Sequence, residues 1–184
     1  MLQNYSIWKT AELFFLEPTK KHYLKEISIK LSIAHTSIKN NLKELKKLGI
    51  IIETIEKRGS RKFPIYTANL EDNNYKKYKK ISNLFLIYES GIIEFLRDNL
   101  MPHSIVLFGS YSRGEDIEES DIDLYIECEK NEINLQKFGK KLHRKIETHF
   151  KSNFQEYPKE LKNNIINGIV LSGYLEAINE TNNK

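Results

Sequence analysis

Phe108-Gly109-Ser110-Tyr111-Ser112-Arg113-Gly114, followed after six residues by Asp121-Ile122-Asp123-Leu124, decides how this chain is read. Ahead of it, Ile105-Val106-Leu107-Phe108 is an apolar run of strand length. Gly109 then opens a turn leading into a short helix. A glycine at that point lets backbone N–H groups approach a phosphate closely, and Ser110 adds a hydroxyl donor. From Asp121 to Glu127 acidic or polar residues alternate with apolar ones, which is the period of a strand. Asp121 and Asp123 then project from one face, while Ile122 and Leu124 turn to a core. Two ionised carboxylates side by side repel each other, so the pair calls for a cation. Mg²⁺ suits them, because it takes a few carboxylates together with phosphate oxygens.

The ordered set Gly109-Ser110, Arg113-Gly114 and Ser120-Asp121-Ile122-Asp123-Leu124 resembles the signature of the DNA polymerase β nucleotidyltransferase superfamily. More narrowly, it resembles the minimal nucleotidyltransferases of prokaryotes. The resemblance covers Ser104 to about Gly173. It implies that Gly109 and Ser110 hold a triphosphate and that Asp121 and Asp123 bind Mg²⁺, as one ion or a pair. Arg113 is a phosphate contact or a brace for the turn. The resemblance also implies a third carboxylate on a later strand. In Lys145-Ile146-Glu147-Thr148-His149-Phe150 the candidate is Glu147, with His149 on its face by the period of two. The implied reaction moves AMP from ATP, or another NTP, to an acceptor hydroxyl. Relatives often act as antitoxins that modify a partner toxin in this way. A chain this short leaves little room for a dedicated small-molecule pocket, which favours a protein acceptor. The bland alternative for the motif is a surface turn followed by an edge strand with solvated aspartates.

The front of the chain reads differently. Ile7, Ala11, Phe14 and Phe15 give one helical face, which ends near Pro18. Leu24, Ile27 and Leu31 give a second helix. After the turn Ser32-Ile33-Ala34-His35, Thr36 or Ser37 caps a third, with Ile38, Leu42, Leu45 and Leu48 on its apolar side and Gly49 past its end. Ile50-Ile51-Ile52 starts a strand, Lys57 to Arg61 makes a basic turn, and Phe63, Ile65 and Tyr66 lie on the returning strand. Three helices and a basic hairpin resemble a winged helix-turn-helix domain, with a small helical bundle or a dimerisation module as the alternatives. Ser37, Lys39, Asn40 and Lys43 are the recognition-helix candidates for phosphates and base edges. Lys57, Arg58, Arg61 and Lys62 are the wing candidates.

Charge supports this division. Residues 1–70 hold 13 Lys/Arg against 6 Asp/Glu, and residues 71–184 hold 16 against 19. The front suits a polyanion such as DNA, and the back concentrates carboxylates. A mean hydropathy of -0.53 and the lack of any long apolar run point away from the membrane. The N-terminus lacks a signal-peptide pattern, and Cys128 is the single cysteine, so the expected compartment is the cytoplasm. The expected architecture is α+β: a winged helix-turn-helix over 1–70, a linking helix over 71–103, and a small nucleotidyltransferase domain with a mixed sheet over 104–184. The pattern Tyr78, Ile81, Phe85, Tyr88, Ile92, Phe95 predicts one long helix through Gly91. That helix, or the front domain, could pair in a homodimer, and the helix could equally pack within the monomer. Residues 131–145 read as helix. A second reading makes the chain a DNA-binding transcriptional regulator whose nucleotidyltransferase-like half is inactive or senses nucleotide.

Overall fold

The computed structural model describes residues 5–152, 154 and 157–176. It divides into two compact units, Met1–Ser82 and Asn83–Lys184, both mixing helix and strand.

The first unit runs α1 (Ser6–Leu16), β1 (His22–Tyr23), α2 (Leu24–Leu31), α3 (His35–Lys47), β2 (Ile51–Arg58) and β3 (Arg61–Ala68). Its sheet is antiparallel, in the order β1-β3-β2. Helical spacing puts Ala11, Phe14 and Phe15 of α1 and Ile38, Leu42 and Leu45 of α3 in one core with Ile27 and Ile51. The buried amide of Asn41 lies among them without penalty, because it donates to Thr10 Oγ1 at 3.0 Å and Ser6 Oγ at 3.2 Å. Two details depart from the sequence expectation. Helix α3 begins at His35, after Ala34, so Thr36 and Ser37 sit inside its first turn rather than capping it. The two-residue strand β1 adds a third member to the hairpin. The hairpin itself turns at Gly59-Ser60, with Gly59 at φ +61.

Helix α4 (Asn73–Ser90) carries the chain onward, and α5 (Ile92–Leu100) follows. The single long helix expected here is broken. Gly91 takes φ +78, and Ser90 Oγ accepts a hydrogen bond from Ile92 N at 3.1 Å. A left-handed residue cannot continue a right-handed helix, and the serine hydroxyl caps the new start.

The second unit continues with β4 (Ser104–Phe108), α6 (Gly109–Arg113), β5 (Ile122–Ile126), α7 (Gln136–Leu142), β6 (Ile146–Phe150), α8 (Lys159–Ile166) and β7 (Ile169–Gly173). The sheet is mixed, in the order β6-β5-β4-β7. Strand β5 is parallel to β6 and antiparallel to β4, which is antiparallel to β7. One face buries Ile105, Leu107, Ile122, Leu124 and Ile126 against Ile87, Ile92, Leu96, Phe138 and Leu142. The other buries Val106, Phe108 and Tyr125 against Phe154 and Ile165. The helix expected over 131–145 shrinks to α7. Asn134 Oδ1 accepts from Gln136 N at 3.0 Å and fixes the start, and His143 at φ 54 ends it.

Candidate active site

Strands β4 and β5 bring the two halves of the motif together. Phe108 pairs with Asp123 across the antiparallel ladder, so Gly109, the next residue, lies against the Asp123 side chain. A Cβ built on Gly109 would overlap Asp123 Oδ2, and Gly109 also holds φ +74. Two independent reasons thus exclude any larger residue there. The turn is closed from within: Ser112 Oγ donates to the Gly109 carbonyl at 2.8 Å, and Gly114 ends α6 at φ +73. Ser110 is half-buried at the start of α6, beside Gly109.

Asp121 lies one residue before β5, and Asp123 is the second residue within it. Their neighbours are basic. Lys145 Nζ stands 3.4 Å from Asp121 Oδ2, and His149 Nε2 stands 3.8 Å from Asp123 Oδ1. The His149 ring meets Phe108 edge-on at 5.2 Å. Glu147 pairs in register with Asp123 across the parallel β5–β6 ladder and is exposed. The Gly109 turn, Asp123 and Glu147 therefore follow one another across three adjacent strands. Among the described residues, no three His, Cys, Asp or Glu side chains converge closely enough to hold a metal. Asp121 and Asp123 carry hard oxygen donors of the kind Mg²⁺ prefers, and one or two carboxylates suffice for such an ion when substrate supplies the remaining ligands.

Arg113 is engaged elsewhere: its Nε donates to Glu115 Oε2 at 2.8 Å on the surface. Beneath the turn lies a buried polar brace that local motif reading missed. Asn83 Nδ2 donates to the Tyr111 carbonyl at 2.9 Å and to Asp116 Oδ1 at 2.8 Å. Arg144 Nη2 approaches Asp116 Oδ2 at 3.5 Å, with both side chains at most 5% exposed. Burial, and then the Asp116 charge, push the Tyr111 hydroxyl well above its usual range, so it stays neutral. The brace joins α4, the motif turn and the lead-in to β6. Its members lie far apart in sequence, so no local spacing announces them.

In the first unit, Lys39, Asn40 and Lys43 are exposed on α3 and Ser37 is half-buried. Lys57, Arg58, Arg61 and Lys62 flank the hairpin turn. Arg58 is held in place: Nε donates to Glu56 Oε2 at 2.7 Å, Nη2 donates to Tyr23 Oη at 2.5 Å, and the guanidinium lies 5.1 Å from the Tyr23 ring centroid. Among the described residues, Lys39, Lys43, Lys57, Arg61 and Lys62 form no ion pair.

Comparison with known proteins fits this geometry. The family model described as Polymerase beta, Nucleotidyltransferase matches residues 90–175. Residues 90–175 are thus similar to a polymerase β-type nucleotidyltransferase domain. A provisionally named protein adenylyltransferase of Methanocaldococcus jannaschii is 53% identical over 38 residues, covering 21% of this chain and 38% of that protein. The chain thus matches well under half the length of that relative. No solved structure matches the chain. No helix among the described residues is long and apolar enough to cross a membrane.

Proposed function

We propose that the protein transfers AMP from ATP to a hydroxyl of a protein acceptor, and that its first unit is a winged helix-turn-helix that binds DNA. The observation that carries the first half is the fit of the Asp123 carboxylate against a left-handed Gly109. It joins the phosphate turn to the acidic strand. In this reading, backbone N–H groups at Gly109 and Ser110, with the Ser110 hydroxyl, hold the β- and γ-phosphates. Mg²⁺ held by Asp121 and Asp123 would supply charge neutralisation on the phosphates. The acceptor oxygen bonds to the α-phosphorus, the bond from that phosphorus to the β-bridging oxygen breaks, and pyrophosphate leaves. Glu147, in register with Asp123, takes the hydroxyl proton. Arg113 swings from Glu115 to a phosphate or remains a brace. The protein acceptor is drawn from the name of the archaeal relative, and a toxin partner is one such acceptor.

The test is label transfer. Acceptor extracts incubated with the protein and Mg²⁺ should gain label from α-labelled ATP, gain none from γ-labelled ATP, and gain none with Asp123→Ala. Label from γ-labelled ATP would indicate a kinase and contradict the reading.

The second reading, a DNA-binding regulator with a silent or nucleotide-sensing domain, is favoured by the absence of a converged three-carboxylate cluster among the described residues. Salt-dependent DNA binding with no transfer to any acceptor would select it.

A further inference from the structure

On the sheet face that carries Asp123 and Glu147, β6 also presents His149, two residues further along and therefore on the same side. Its Nε2 stands 3.8 Å from Asp123 Oδ1, which is too long for a hydrogen bond. That nitrogen is nevertheless shut off from solvent, and among the described residues it has no hydrogen-bond partner. A buried ring nitrogen in that state calls for one. The Phe108 ring packs edge-on against the imidazole, with centroids 5.2 Å apart, and limits how far it can turn.

The Asp123 carboxylate is in the same position. Among the described residues it accepts no hydrogen bond, and its basic neighbour is His149. Its other oxygen, Oδ2, lies against Gly109. A second histidine supplies the contrast. His22 Nε2 stands 3.9 Å from Glu17 Oε2 and also lacks a hydrogen bond, but Glu17 is already matched by Lys20 and Lys30. There lysine neutralises the carboxylate. At Asp123 no lysine or arginine does so among the described residues.

A cation satisfies both groups at once. Two atoms 3.8 Å apart can each lie about 2.1 Å from one ion, the ordinary distance from a small divalent cation to its ligands. The donor pair is mixed, one carboxylate oxygen and one imidazole nitrogen. Carboxylates suit Mg²⁺, whereas an imidazole nitrogen moves the preference toward first-row transition ions.

We infer that His149 Nε2 is a metal ligand alongside Asp123, and that the site holds a divalent transition cation more tightly than Mg²⁺. Binding uses the lone pair of Nε2, so the ring proton sits on Nδ1. The inference rests on the nucleotidyltransferase reading, because substrate phosphates complete the ligand set.

The readout is magnetic rather than enzymatic. The full chain is loaded with Mn²⁺ and inorganic triphosphate, a phosphate ligand without nitrogen. Pulsed electron paramagnetic resonance then records whether a nitrogen nucleus couples to the metal. The wild type should show that coupling, and heavy-isotope labelling of its histidines should alter it, which identifies the donor without any variant. His149→Gln and His149→Phe, each first shown to be folded, should lose the coupling. They should bind Mn²⁺ ~10-fold more weakly while their Mg²⁺ affinity changes little. Bound Mn²⁺ without histidine coupling, coupling that persists in both variants, or an equal fall in Mg²⁺ affinity overturns the inference and leaves the acidic site standing. No Mn²⁺ binding by the folded wild type, or equal binding by Asp123→Asn, overturns the site itself.

Discussion

At the scale of single residues, Gly109 is constrained twice over, by its left-handed backbone and by the Asp123 side chain. The strand-turn-aspartate order in the sequence already singled it out, because a glycine after a buried strand and before an acidic strand has few other uses. The structure adds the reason, which is the Asp123 carboxylate against its Cα. Gly109→Ala should cost about 1–2 kcal/mol from its left-handed backbone alone. It should also displace Asp123, so Mg²⁺-dependent ATP binding should fall at least ~10-fold. Thermal melting with a nucleotide titration checks both effects. Unchanged affinity would mean that the carboxylate does not act at this turn. Other residues were less legible. Lys145 and His149 approach the aspartates only because β6 pairs in parallel with β5, and a parallel partner is not marked by any short turn in the sequence. Glu147 was reached through resemblance, and the register puts it beside Asp123.

At the scale of elements, apolar periodicity located most helices and strands, while their boundaries depended on side-chain caps it does not register. Gly91 is the clearest case. A continuous apolar face argued for one helix, yet Ser90 and the left-handed glycine make two. The brace under the motif turn is a second case, since Asn83, Asp116 and Arg144 come from three separate segments. Asn83→Ala leaves a buried carbonyl and a buried carboxylate each short of a donor, at a cost of about 1–3 kcal/mol. In a domain of this size the melting temperature should fall by several degrees. Hydrogen exchange at residues 109–114 should quicken, whereas Leu96→Ala, which opens a cavity in the same core, should leave that turn protected. Equal exchange in the two variants would reduce the brace to general packing. In the first unit, burial lowers the pKa of His22, which lies edge-on to Phe14 at 5.1 Å. The unfolded chain then binds a proton more readily than the folded one. Stability should therefore fall as pH drops below about 6.5, the ordinary histidine value, and level off below the folded value. Replacing His22 with Phe should flatten that slope in denaturant titrations between pH 7 and 5, and an unaltered slope would assign it to other groups.

At the scale of the whole molecule, the uneven charge was the most legible property, and it requires no structure: the first 70 residues are basic and the remainder slightly acidic. The structure refines which cations are available. Arg58, an obvious wing candidate from sequence, is tied to Glu56 and Tyr23, while Lys39 and Lys43 on α3 have no ion pair among the described residues. If the first unit binds DNA through α3, Lys39→Ala with Lys43→Ala should lower affinity about uniformly across sequences. The slope of log affinity against log salt should become shallower by about two. ATP binding should be unaffected, because those residues belong to the other unit. A salt slope identical to that of the wild type would remove α3 from the interface.

The most direct test of the central claim is calorimetric titration of ATP with Mg²⁺ into the wild type and into Asp123→Asn, each first shown to be folded. A nucleotidyltransferase site built on Gly109 and Asp123 should give saturable, Mg²⁺-dependent binding that the variant loses. Equal binding by both proteins, or no binding by a folded wild type, would contradict it.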